Sequence, residues 1–488
     1  MKELPGTLYT AEQTRLLDKT AIEEAGIPGF TLMKRAGRAV FAEIQKRWPQ
    51  MKTLSVLCGG GNNGGDGFIV AALARQKGYE VQARYVGADE FAGSGEGVRF
   101  QQFQPDEPIT GDVIVDALLG TGLTGDVRGG FQQAVKMINQ RTRPVISVDI
   151  PSGLCADTGR VLGCAVKADV TVTFIGLKQG LFMHQAVENV GELIFDSLHI
   201  PESVYEQVSV SAFRLGADDV AECLPKRSRA SHKGSFGHLL VIGGDHGMGG
   251  AAIMAAEAAL SSGAGKVTLA TRTEHISAAL MRCPEVMVQG VESGHELLAL
   301  IEQADVIVFG PGLGRKAWAE QMLQAVWETR LPVVIDADGL NMLGEKEKFQ
   351  QLSRKNWILT PHPGEAARLL KTEVPLIQRN RIMSATELQA ASGGTVVLKG
   401  AGTLITDGDV MHLCNAGNPG MASGGMGDVL SGIIGALLAQ KLSPVDAARV
   451  GVYAHSAAAD LCVSQNGERG LKATELLPYV RLILNGKI

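Results

Sequence analysis

The sequence predicts an α/β protein of two three-layer domains, each built on a mostly parallel, doubly wound sheet. Three observations carry that expectation. Short apolar runs alternate with amphipathic segments of helix length along most of the chain, the grammar of βαβ units rather than of hairpins. The alternation stops over residues 201–235 and restarts at His238. A chain of 488 residues is also too long for one core, because domains run to ~100–200 residues.

Taken in order, residues 10–26 read as a helix, with Thr10 and Gln13 at capping-box spacing and apolar positions at Leu16, Leu17 and Ile22. A second helix carries Leu32, Ala36, Val40 and Ile44. Residues 54–57 then read as a strand, followed by a Gly-rich loop, a helix from about 65 to 76 and a strand over 81–86, which together make a βαβ unit. Residues 113–115, Val145–Val148 and Val170–Phe174 supply further short buried strands with helix-length connections. The first domain is expected to cover residues 1–210. Residues 201–235 hold Pro201, Pro225 and the run KRSRASHKGS without an apolar period for a core element, and read as a linker or domain seam. The second domain is expected over 216–488: strands at 239–242, 267–269, Val306–Phe309, Val333–Ile335, 358–359 and 396–398, a small-residue helix over 250–260, and long helices after Gly427 and Pro444. The halves share no motif at a fixed period, so no internal repeat is read.

Composition narrows the function. Forty-six Lys+Arg against 51 Asp+Glu give a formal charge of −5, which removes the electrostatic case for nucleic acid or an anionic membrane as partner. Sixty-one Gly with only 5% aromatics point to many tight turns and close backbone approaches. Seven Cys without a C-x-x-C pair read as buried thiols in a reducing cytosol, not as disulfides or a zinc site. The opening MKELPGTLYTAEQ lacks a signal peptide's basic and apolar regions, and the longest apolar stretches, such as 429–439, fall short of the ~18 residues of a spanning helix. The expectation is a cytoplasmic protein without membrane partners. Oligomeric state stays open, a homo-oligomer included.

In parallel sheets ligands bind beyond the carboxyl ends of the strands. The first such loop is GGGNNGGDG, where Gly59, Gly61 and Gly64 match G-x-G-x-x-G, although any Gly-rich run of six contains that pattern by accident and no acidic residue ends the next strand to bind a ribose. It offers backbone N–H groups at a helix start, with Asn63 and Asp66 adding polarity. The second follows residues 113–115 as Asp116 and LLGTGLTGDVRGG, and the third is Asp149-Ile-Pro-Ser-Gly153. Asn63, Asp116 and Ser152 either converge as oxygen ligands for a hard cation or cap local turns; Asp149 is either an acid or base or another cap. Lys178 is a substrate contact or, as Lys normally is, exposed.

In the second half NPGMASGGMGDVLSG places Gly424, Gly425 and Gly427 before an apolar helix whose first turn holds Asp428, an anion hole beside a base. An Asp complementing the helix dipole is the plainer alternative. No G-x-x-x-x-G-K-[ST] occurs, so P-loop chemistry is excluded. The loops GGDHGMGG, GPGLG, TPHPGE and KGAGT support a phosphate-handling site, with His362 held rigidly between two prolines as a ligand contact. Asp336 and Asp338 in VVIDADGLN either hold Mg²⁺ through water or cap the following helix.

Taken together, NNGGDG, VDALLGTGL and DIPSG, then HKGSFGHLLVIGG, GPGLG, TPHPGE, KGAGT and GGMGDVLSG, make the whole chain resemble the bifunctional NAD(P)H-hydrate repair enzymes. In that family an NAD(P)HX epimerase domain with a Rossmann-like sheet is fused to an NAD(P)HX dehydratase domain of the ribokinase-like superfamily. The resemblance implies a K⁺ site at Asn63, Asp116 and Ser152. It implies epimerase substrate contacts at Asn62, Asn63, Gly64, Gly65 and Asp66, at Gly120, Thr121, Gly122, Leu123, Thr124, Gly125 and Asp126, and at Asp149, which is also catalytic. Dehydratase substrate contacts fall on Ala252, Gly312, His362 and Asp428, with Asp428 catalytic, and nucleotide contacts on Lys399, Gly400, Ala401, Gly402, Thr403 and Gly427. ADP is the implied co-substrate, released as AMP, and Mg²⁺ the implied dehydratase metal. The superfamily's N-x-x-E reads His362-Pro-Gly-Glu365 here. The substrates implied are NADHX and NADPHX, nicotinamide cofactors hydrated on the ring. The competing reading is a small-molecule hydroxyl kinase with a fused nucleotide-binding domain.

Overall fold

A computed structural model describes residues 4–87, 98–345 and 353–487; the ends of the expected domains, 1–3 and 488, lie outside it. The chain divides into two compact units, Met1–Phe213 and Arg214–Ile488.

The first unit holds a seven-stranded sheet in the order Gln101–Gln102, Glu80–Tyr85, Thr53–Cys58, Val113–Ala117, Val145–Val148, Val170–Phe174 and Glu192–Asp196. Every neighbouring pair is parallel. Chain direction across the sheet reverses between Thr53–Cys58 and Val113–Ala117, so their exit loops part there and leave a crevice. The capping box at Thr10 forms, with Gln13 answering, and starts the helix Ala11–Glu23. Its buried face is Thr14, Leu17 and Ala21, whereas Leu16 and Ile22 are exposed. The helix Gly29–Arg47 buries Leu32, Ala36, Val40 and Ile44 as the period requires. A parallel pairing of Thr7–Tyr9 with Leu177–Lys178, register Tyr9↔Lys178, ties the start of the first helix to the exit of Val170–Phe174.

In the second unit the parallel order is Met287–Gly290, Lys266–Thr271, His238–Ile242, Val306–Phe309, Val333–Ile335, Trp357–Leu359 and Thr395–Leu398. Thr403–Thr406 and Met411–Cys414 continue it antiparallel. The helix Met426–Ala439 is buried continuously from Val429 onward, as its apolar circumference demands.

Several expectations need correction. The helix after the first strand begins at Asn62, not near 65, so NNG is its first turn rather than a loop. Residues 201–235 are not a bare linker: Glu202–Tyr205, Ala212–Arg214 and Ala217–Cys223 are regular elements, and Val204, Val208 and Val220 are core residues. All seven cysteines are free, but Cys155, Cys164 and Cys223 are only half-buried. Among the described residues no helix is long and apolar enough to cross a membrane.

Candidate functional sites

The crevice of the first unit is a cleft of about 800 Å³. Asn62, Asn63 and Asp66 line it from the helix start, residues 120–126 from the second exit loop, and Asp149 from the third. Gly64 and Gly65 do not line it. A Cβ on Gly64 would run into the Gly59 carbonyl, so this glycine lets the helix start press against the strand exit.

Asp116 lies in the strand rather than after it and is fully buried. Its Oδ1 accepts from Ser152 Oγ at 2.5 Å, and its Oδ2 from Ser147 Oγ at 2.8 Å and Ser152 N at 2.9 Å. Burial pushes this carboxyl up, against the pull of those donors. Ser152 Oγ also accepts from Leu119 N at 2.8 Å. Asn63 stands against the neighbouring Gly120, and both polar atoms of its buried amide have no partner among the described residues. Residues 119–120 therefore adjoin both Ser152 and the orphaned Asn63 oxygen. Among the described residues, a buried carboxylate without a counter-cation and an amide oxygen without a donor both adjoin residues 119–120, which fits a large monovalent cation.

Asp149 has φ +65°, a left-handed backbone at the end of Val145–Val148 that costs a non-glycine residue ~1 kcal/mol. Its Oδ1 accepts from Thr173 Oγ1 and Phe174 N, both at 3.2 Å, and from Lys178 Nζ. Lys178 is not on the surface: it is 1% exposed and also donates to Thr173 Oγ1 and Phe174 O, each at 3.0 Å. The sequence leaves it between a substrate contact and an exposed lysine, and the one cation inside the apolar run FIGLKQGLFM is the signal that favours burial. Sequence reading missed Asp18; it lines the same cleft on the face that buries Leu17.

In the second unit the anchor is Asp336, at the end of Val333–Ile335 and 1% exposed. Its Oδ1 accepts from Lys399 Nζ at 2.7 Å and its Oδ2 from Ser431 Oγ at 2.7 Å; Ser431 Oγ also lies 2.8 Å from Gly427 O. Burial opposes the Asp336 charge, but Lys399 and the hydroxyls win and hold this carboxyl below its usual range. Lys399 is correspondingly held above its own range against burial, so the pair is ionised. A Cβ at Gly427 would come 3.3 Å from Lys399 Nζ, so the ammonium stands at the bare helix start. Asp428 follows, pushed up to about 7 by burial and by Asp336 against the pull of Lys399.

His362 is the N-cap of Pro363–Leu369: its Nδ1 accepts from Gly364 N at 2.9 Å while Glu365 Oε2 accepts from His362 N at 2.8 Å. His362 Nδ1 is spent on the cap, and Nε2 of the half-exposed ring lies 3.4 Å from Glu365 Oε1. Ala252 is fully buried and packs against Gly243 and Gly244, while Gly312 O accepts from Asp245 N at 2.7 Å. These two shape the GGDHG loop, and the Ala252 side chain offers no surface to a ligand. Arg381, another missed residue, is 2% exposed and donates through Nη2 to the carbonyls of Leu398, Lys399 and Gly402 at 3.1–3.3 Å, fixing the loop of Lys399 to Thr403. Removing it in Arg381→Met is expected to raise the KM for nucleotide roughly tenfold, or ~1.4 kcal/mol, at a smaller cost in kcat. Steady-state kinetics at varied nucleotide check this.

Among the described residues no three His, Cys, Asp or Glu side chains form a metal cage. Glu365, pushed up to about 7 by burial, is occupied by the cap and lies 4.0 Å from Lys399. Mg²⁺ held mainly by nucleotide phosphates and water needs no such cage.

A carboxylate-lined crevice at the strand ends of the first unit and, in the second, a glycine-opened helix start beside a paired lysine at a strand end define a two-site α/β enzyme of the nucleotide-handling kind. Comparison with known proteins takes this further. Residues 29–180 match the family described as YjeF-related protein N-terminus, and residues 239–481 the family described as NAD(P)H-hydrate dehydratase. The chain belongs to the bifunctional NAD(P)H-hydrate repair enzymes: it is 47% identical to that of Coxiella burnetii over 98% of this chain and 99% of the relative. It is 42% identical to that of Escherichia coli over 99% of this chain and 95% of the relative. Among solved structures, a ribokinase-like superfamily protein from Enterococcus faecalis is 33% identical, with a TM-score of 0.51 over 56% of this chain and 95% of that one. An ADP/ATP-dependent NAD(P)H-hydrate dehydratase from Bacillus subtilis, co-crystallised with ATP and Mg²⁺, is 30% identical with a TM-score of 0.50, covering 56% of this chain and 98% of that one. The second unit thus has the ribokinase-like fold.

Proposed function

We propose that the chain repairs hydrated nicotinamide cofactors at two sites: the first unit interconverts R- and S-NAD(P)HX, and the second dehydrates the S form to NAD(P)H with ADP as phosphoryl donor. The observation that carries this reading is the placement of Asp428, a base near neutral pKa, in the first turn of a helix whose glycine start faces the Lys399 ammonium. Hydroxide is a poor leaving group, so the substrate hydroxyl is first phosphorylated. Asp428 takes the hydroxyl proton, and the Gly425–Gly427 amides with Lys399 stabilise charge on the phosphoryl in transit. The ring nitrogen lone pair then expels phosphate, and loss of a proton from the neighbouring ring carbon to solvent restores the C=C bond of NAD(P)H. Mg²⁺ bound to the nucleotide would supply charge neutralisation; the chain's own contribution is Lys399, held in place by Asp336. Product identity tests the reading. S-NADHX and ADP are expected to yield NADH, AMP and phosphate in equal amounts, whereas a stable phosphate ester would mark a hydroxyl kinase.

In the first unit Asp149 is the catalytic carboxylate, and Asn63, Asp116 and Ser152 hold K⁺, which neutralises buried Asp116 and fixes residues 119–120 at the cleft wall. The expected result is a higher Tm for the wild-type protein in KCl than in tetramethylammonium chloride, a difference that disappears in Asp116→Ala together with epimerisation. Equal melting in both salts contradicts the site.

A further inference from the structure

We propose that Asp18 is a catalytic acid of the epimerase cleft, donating the proton that lets the substrate's ring hydroxyl depart. The inference rests on the epimerase reading of the first unit and extends it to a residue outside the three exit loops.

Position argues first. The helix Ala11–Glu23 is fixed at its start by the Thr10 cap and by Asp157 Oδ1, which accepts from Ala11 N at 2.7 Å. The Tyr9↔Lys178 register lays that start beside the strand of Lys178, and Leu17 packs on Gly176. Asp18 is thereby held at the cleft wall, together with the other charged lining groups Arg15, Asp66, Asp126, Asp149 and Lys178. Partnering argues second. Lys178 is consumed by Asp149, Thr173 and Phe174. Among the described residues no hydrogen bond reaches the carboxyls of Asp18 or Asp66. Asp126 is exposed, so among the described residues the cleft holds one carboxylate locked against a lysine and two half-buried carboxyls, Asp18 and Asp66, without a fixed partner, a division of roles that acid–base work requires. Titration agrees: burial, with Asp149 adding to it and Lys178 opposing, pushes Asp18 up to about 6.

The substrate hydroxyl sits on the ring carbon bonded to the ring nitrogen. Asp18 gives its proton to that oxygen, the C–O bond breaks with its electron pair leaving on water, and the nitrogen lone pair forms C=N⁺. Water then adds to the opposite face as the π pair returns to nitrogen, and its extra proton passes to the Asp149 carboxylate. Exchange with solvent returns a proton to Asp18, so a turnover consumes nothing.

The test uses the full-length chain and R-NADHX in ¹⁸O-water. Wild type is expected to epimerise with ¹⁸O entering the product hydroxyl, at a rate that falls as pH rises past the pKa of Asp18. Asp18→Asn is expected to lose about 10²-fold or more in kcat with KM within about threefold, and to lose that pH limb; Asp18→Glu should recover part of the rate and the limb. Dehydration of S-NADHX should be unchanged, and KM for R-NADHX within about threefold shows that the epimerase cleft of each variant is folded. Wild-type turnover in Asp18→Asn, a kcat loss with the pH limb intact, or epimerisation without ¹⁸O overturns the proposal while leaving the epimerase reading standing. Failure of the wild-type chain to epimerise at all overturns both.

Discussion

Asp428→Asn is expected to lower ADP-dependent dehydration of S-NADHX by about 10²–10⁴ in kcat, because an amide cannot accept the hydroxyl proton. ADP binding, read by calorimetry, should survive, since Lys399 stays paired to Asp336. The pH dependence supplies a second signature. A base works ionised, so with Asp428 near 7 wild-type kcat/KM should hold above that pH and fall about tenfold per unit below it. Glu365 titrates in the same range. The two are separated by substitution: Asp428→Asn should leave a residual rate without the acid limb, whereas Glu365→Gln should keep the limb. Wild-type turnover in a folded Asp428→Asn protein removes the assignment.

Asp149→Asn is expected to stop R-to-S conversion while S-NADHX is still dehydrated at the normal rate. Given both epimers and ADP, this variant should consume the S fraction promptly and then slow to the rate of spontaneous epimerisation. The substitution also leaves the fully buried Lys178 without its carboxylate, and breaking a buried pair from one side costs about 3–5 kcal/mol. Asp149→Asn combined with Lys178→Met should therefore be less destabilised in urea than the sum of the single variants, yet still inactive as an epimerase. Additive destabilisation would mean the pair is not coupled; restored epimerisation would mean Asp149 is not catalytic.

The elements that periodicity can reach are legible in the order of residues alone. The core strands and the helix carrying Leu32, Ala36, Val40 and Ile44 depend on local spacing, and the Thr10 box is a four-residue signal. The site is legible where glycine and strand-end carboxylates mark a loop, which picks out Asn62, Asn63, Asp66, residues 120–126 and Asp149 at the cleft wall and Asp428 at the helix start, but not Gly64 or Gly65 as lining. What stays hidden depends on partners far apart in sequence. Lys178 is a surface residue by type and becomes buried only because Asp149, 29 positions away, neutralises it. Ser431 meets Asp336 across 95 positions. Asp18 interrupts an amphipathic helix, where a carboxylate reads as solvent-facing until the cleft beside it is known. His362 could have been read further: Pro after it and Glu365 three residues on are a capping box, so its rigidity has a structural cause. The start at Asn62 is obscured because glycines suppress helix propensity while allowing the close packing that holds the helix there.

The central claim is that one chain carries both repair reactions at separate sites. It is tested most directly by following a mixture of R- and S-NADHX with the full-length protein, with and without ADP. With ADP, complete conversion of both epimers to NADH in one continuous phase, with one AMP and one phosphate per NADH, is the predicted result. Without ADP, the mixture should re-equilibrate between epimers with no NADH formed. Conversion that stops once the S fraction is spent, or NADH that accumulates without a phosphoryl donor, would contradict the account.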